Sequence, residues 1–123
     1  MTTPPPPAAP APRPALPATA LPGAIRYVLL GAASLIIYDG DTGTRGLLQA
    51  GAECACGMHG LPASAAPVIY RRAAMCLARA SGYQPLDTTD PVIDRALDEL
   101  PGYPPERQAR LLAYAARRAA TTP

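Results

Sequence analysis

Apolar residues recur at helical spacing in four stretches of this chain. Ile25, Val28, Leu29, Ala32, Leu35 and Ile36 predict a helix from about Ala24 to Tyr38. Leu30, Ala33 and Ile37 fill much of its other side, so it is apolar nearly all round and belongs in the middle of a bundle or against a partner. Ser34 to Tyr38 is rich in β-formers, and a strand is the competing reading there.

The second helix runs from about Ala66 to Ala80, with Ile69, Ala73, Cys76, Leu77 and Ala80 as its stripe. Ser64 is its candidate cap, Pro67 suits its first turn and Gly82 ends it. The third follows Asp90-Pro91, a cap and a first-turn proline, with Val92, Ile93, Ala96, Leu97 and Leu100 on one face and Pro101-Gly102 as the stop. The fourth begins near Pro105-Glu106 and runs to about Ala120, with Leu111, Leu112, Ala115 and Ala119 inward. Residues 39–46, DGDTGTRG, read as a turn, and residues 47–62 show no clear period and read as an irregular Gly- and Cys-containing loop or a short β-hairpin. The expected fold class is therefore mainly α, a small four-helix domain over residues 23–120.

Residues 1–22 hold nine prolines. Proline lacks an amide donor, and this segment has too little apolar surface to offset the entropy of ordering, so it reads as a disordered, polyproline-II-biased arm. Within it Arg13-Pro-Ala-Leu-Pro17 has a faint look of a ligand for a domain that binds Pro-rich peptides, but a solvated spacer is the preferred reading.

Composition changes the picture in three ways. Lys, Asn, Phe and Trp are absent, and Ala, Arg, Pro and Gly dominate, which fits a GC-rich genome such as that of a high-GC bacterium or its phage and makes Arg-for-Lys choices uninformative. A net charge of +2 does not by itself point to nucleic acid. Three cysteines form no even disulfide framework, so free thiols in a reducing cytoplasm are expected. The uncharged run Tyr27–Tyr38 falls short of the ~20 residues a bilayer span needs, and Pro-rich rather than basic sequence precedes it, so a buried helix is expected rather than a membrane or signal segment.

Glu53-Cys-Ala-Cys-Gly-Met-His59 gathers two thiols and the chain's one imidazole, and Cys76 could join from the second helix. Cys54, Cys56, His59 and Cys76 would make a Cys3His set suited to tetrahedral zinc. One residue between the thiols is short of the usual zinc spacing of two to four, and Cys76 falls on an apolar stripe. The preferred reading has Cys54 and Cys56 pointing the same way, packed inward, with His59 near the surface and no cofactor.

LIIYDGDTGT resembles the nucleophile loop of haloacid dehalogenase-type phosphatases, with Asp39 and Asp41 in the nucleophile and acid/base positions. The order Thr42-Gly43 is reversed from that family's, no Lys is present to balance phosphate, and helices follow where alternating strands are needed. A calcium loop fails too, with Gly43 at the fifth and Ala50 at the twelfth position. A tight turn is the expected role.

Residues 87–100 are acidic and residues 104–123 basic. Arg107, Arg110, Tyr114 and Arg117 share one helical face, a pattern able to touch phosphates and stack on a base. Balance of these arginines against the acidic neighbouring helix is preferred, and nucleic acid is not the expected partner.

The order of signals also resembles that of uncharacterised small helical proteins of high-GC actinobacteria and their phages. AIRYVLLGAASLIIYDGD, ECACGMHGLPA and TTDPVIDRALDEL carry the likeness, across roughly residues 24–100. Cys56, His59 and the Pro-rich arm lie outside that pattern. The family has no established activity, so the resemblance implies no catalytic residue. The expected function is that of a non-enzymatic interaction or accessory module of the cytoplasm, acting on a protein partner or as a homo-oligomer, with a zinc-stabilised nucleic-acid-binding regulator as the alternative.

Overall fold

Five α-helices, one more than the periodicity predicts, build the part of the chain that the computed structural model describes, residues 20–40 and 43–119. They are α1 (Ala20–Asp39), α2 (Thr44–Met58), α3 (Ala66–Ala80), α4 (Pro91–Glu99) and α5 (Pro105–Ala119), with 3-10 turns at Ala63–Ala65 and Leu100–Gly102. No strand occurs among the described residues, and Ser34–Tyr38 is helical. The mainly α class is as expected.

α2 is the correction. The expected loop or hairpin of residues 47–62 is helical to Met58. Thr44, Leu48, Ala52, Ala55 and Cys56 recur at helical spacing and are buried. The helix then closes on Gly60, whose φ of +65° lets the Leu61 amide donate back to the Cys56 carbonyl at 2.8 Å. Gly46, Gly51 and Gly57 mask this pattern because glycine is a poor helix former.

α1 also starts earlier than the expected boundary at residue 23. Ala20, Leu21 and Pro22 form its opening, and proline fits in the first turn, where the amide has no helical acceptor. The remainder of the expected arm, with its Arg13–Pro17 motif, lies outside the described residues, as does Ala120.

Asp90 caps α4 as predicted, accepting from the Val92 amide at 3.0 Å. Ser64 does not cap α3: it sits in the 3-10 turn, and Ala65 precedes the helix. Gly82, at φ +98°, ends α3 with the Tyr83 amide on the Ala78 carbonyl at 3.0 Å.

α1 is the hub, packed against α5, α2 and α3. Its buried face is Ala24, Ile25, Val28, Leu29, Ala32, Ala33 and Ile36. Leu35, expected inside, is 41% exposed. Leu29, Ile36, Leu48, Ile69, Leu77, Ile93, Leu100 and Leu112 fill the core between many buried alanines. Small residues bring the backbones close: a Cβ built on Gly51 of α2 would stand 3.3 Å from Val28 Cγ1 of α1. Tyr83 and Tyr103 are half-buried at the edge of this aliphatic interior.

Candidate functional site

The cysteine and histidine residues do not form one site. Residues two apart on a helix point about 200° away from each other. Cys56 therefore turns into the core while Cys54 is exposed, and the expectation that both point the same way is corrected. His59 ends α2 and stands edge-on to Tyr27, with ring centroids 6.1 Å apart. Cys76 sits half-buried on α3. Among the described residues no three His, Cys, Asp or Glu side chains come together where they could hold a metal ion. Burial pushes the Cys56 thiol up, helped by Glu53. Burial raises Cys76 too, opposed by Arg79, Arg72 and Arg118. Burial thus disfavours the thiolate form of both.

Asp39 is the exposed last residue of α1, and Asp41 lies outside the described residues. Among the described residues no strand presents Asp39, whereas the phosphatase-like reading places it at the end of one.

Two of the surface grooves bear on binding. The first is a groove of about 380 Å³ between α1 and α2. Gly31, Ser34, Ala50 and Gly51 are among the small residues along it, and Leu30 and Leu35 stand beside them. Every residue lining it is uncharged. Leu30 is 39% and Ile37 48% exposed, so α1 carries an apolar face to the surface as well as one into the core. By length and composition α1 is able to cross a membrane, since the helix runs to 20 residues rather than the shorter run legible in the sequence.

The second surface is the outer face of α5. Its inner face, Gln108, Ala109, Leu112, Ala115, Ala116 and Ala119, is buried. The helix twist then brings Arg107, Arg110, Tyr114 and Arg117 to one groove of about 500 Å³, together with Pro104, Glu106 and Leu111. Leu111, expected inward, is only half-buried there. The Arg107 guanidinium lies over the Tyr103 ring, 4.3 Å from its centroid. Arg118 lies 5.7 Å from the Tyr114 centroid and donates to its hydroxyl at 3.4 Å.

The acidic helix α4 does not balance these arginines. Asp94 accepts from Arg45 of α2 at 3.3 Å and from Arg71 of α3 at 3.1 Å, and Asp98 accepts from Arg45 at 2.7 Å. The hydrogen bond to Asp98 is the main reason the Arg45 guanidinium holds its proton more tightly than usual. Arg71 also donates through Nε to the Thr88 carbonyl at 2.7 Å, tying the loop before α4 to α3. Sequence order suggested an α4–α5 pairing; the fold places α4 against α3 and discharges it on α2 and α3 instead.

No protein-family model, curated protein or solved structure matches this chain.

Proposed function

We propose that this protein is a non-enzymatic interaction module whose α1–α2 face seats an apolar helix, the first occupant being the same face of a second copy. The observation that carries this reading is the exposed apolar row of α1 beside a shallow, uncharged hollow. Large exposed patches of this kind mark interaction sites. Leu30 and Leu35 project on either side of Gly31, and a Cβ on Gly31 would meet no atom within 4 Å. Two such faces are self-complementary about a twofold axis near Gly31, each leucine entering the other copy's hollow.

Among the described residues the thiols, Asp39 and the charged cluster show no nucleophile paired with a base, and a binding role is the reading taken over catalysis. The same apolar face could instead meet a bilayer. Packing of α1 on three helices favours the water-soluble fold, because withdrawing it would expose the core faces of α5, α2 and α3.

Light scattering after size exclusion tests the reading. The wild type should give a dimer that Leu30→Glu and Gly31→Leu each return to monomer with unchanged helical circular dichroism. A wild type that is monomeric at every concentration removes the second copy as the occupant, and flotation with vesicles would assign the face to lipid.

A further inference from the structure

The groove on the outer face of α5 is lined by three arginines, Arg107, Arg110 and Arg117, against one carboxylate, Glu106. The acidic residues of 87–99 are engaged elsewhere: Asp94 and Asp98 on Arg45 and Arg71, Glu99 on the Tyr83 hydroxyl, Asp90 on the Leu86 and Val92 amides, and Asp87 on Thr89. Among the described residues no carboxylate pairs with Arg107, Arg110 or Arg117. Burying Leu112, Ala115 and Ala116 forces these three arginines outward on one side of the helix. At 1.5 Å per residue they are spread over about 15 Å of helix axis, with Tyr114 between the second and third.

Tyr114 is 41% exposed, and Leu111 lines the same groove beside it. Tyr103 holds the Arg107 guanidinium in place without cancelling its charge. A ring and an aliphatic side chain between cations suit a ligand that offers phosphates at intervals and flat apolar faces between them. Unpaired bases offer such faces; a duplex stacks them inside, and an acidic peptide has none.

We propose that the α5 groove is a binding site for single-stranded nucleic acid, with Arg107, Arg110 and Arg117 on phosphates and a base stacked on Tyr114. The site is independent of the α1–α2 docking face, since no residue lines both grooves.

Fluorescence anisotropy of the full chain with a labelled oligothymidylate of about 20 nucleotides tests this, since sites on single strands span a few to about 16. Binding should weaken with salt at a log–log slope of about 2, the value for three phosphates on a single strand. Arg110→Gln should lower that slope by about 0.7. Tyr114→Ala should weaken binding about tenfold or more, while Tyr114→Phe, which keeps the ring, should not. Circular dichroism of each variant guards against loss of fold. The wild type alone can overturn the proposal: no binding at low salt, or equal binding of an oligoglutamate peptide or of duplex DNA, would do so. Binding that Tyr114→Ala and Arg110→Gln leave unchanged would overturn it as well. A dimer-breaking Leu30→Glu protein that still binds the oligonucleotide separates this site from the docking reading.

Discussion

Thr44 donates its hydroxyl to Gln108 Oε1 at 3.2 Å, and both residues are buried. Gln108 in turn donates through Nε2 to the Tyr103 carbonyl at 2.7 Å. This chain joins the first turn of α2 to the first turn of α5 and to the segment leading into it. A buried polar group that loses its partner costs about 1–3 kcal/mol. Thr44→Val keeps the shape and removes the donor, so it should destabilise by that amount. For a domain of this size each 1 kcal/mol lowers Tm by roughly 4–8 °C. Thr44→Val with Gln108→Leu should cost less than the two single changes summed. Additive losses in a urea double-mutant cycle would show that the two side chains are not coupled.

The glycines of α2 should divide by what surrounds them. Gly46 and Gly57 of α2 have open space at the Cβ position, whereas Gly51 faces Val28 at 3.3 Å. Alanine at an open helical position should add about 0.5–1 kcal/mol. Gly51→Ala should gain nothing and fall below Gly46→Ala, because Val28 has to give way. Urea midpoints of the three variants decide it; equal gains at all three positions would mean that α1 and α2 do not approach so closely.

Thiol labelling should distinguish the three cysteines. Cys54 is exposed, while burial shields Cys56 and raises its pKa along with that of Cys76. One fast and two slow thiols are expected with a maleimide at neutral pH, since the thiolate is the reacting form. Self-association through α1 and α2 should slow Cys54 as protein concentration rises, because Cys54 lines that groove. Equimolar zinc should change none of the three rates; protection of three thiols by zinc would restore a Cys3His site.

Acid should loosen the turn before α4. Hydrogen bonds from Thr89 lower the Asp87 carboxyl, and the Leu86 and Val92 amides lower Asp90. A folded-state pKa below the unfolded one adds stability that is complete above the ordinary carboxylate value of about 3.9 and disappears as pH falls through the folded value. Asp90→Asn keeps a capping acceptor but no longer titrates. Its stability should therefore fall less steeply than that of wild type below about pH 4. Identical acid slopes for the two proteins would show that Asp90 does not contribute.

Much of the helical content was legible because it rests on local signals. Asp90-Pro91 opens α4 and Gly82 closes α3 by rules that involve only neighbouring residues. α2 is obscured in the sequence by Gly46, Gly51 and Gly57, which lower its helix propensity. Its own signal, Leu48, Ala52 and Ala55 followed by Gly60, was present. The α5 face was legible as a face, since Arg107, Arg110, Tyr114 and Arg117 share it by helical spacing alone.

Sequence by itself therefore determined four of the five helical segments, where most of them stop and most of their apolar faces, because these depend on spacing and backbone preference within a few residues. Tertiary structure decided which charge meets which. The chain order sets acidic α4 beside basic α5, yet Asp94 reaches Arg45, 49 residues away, and Arg71, 23 residues away. It also decided that Leu35 faces outward and that Cys54 and Cys56 part company, for burial depends on which neighbour covers a helix face, and periodicity alone does not name the neighbour.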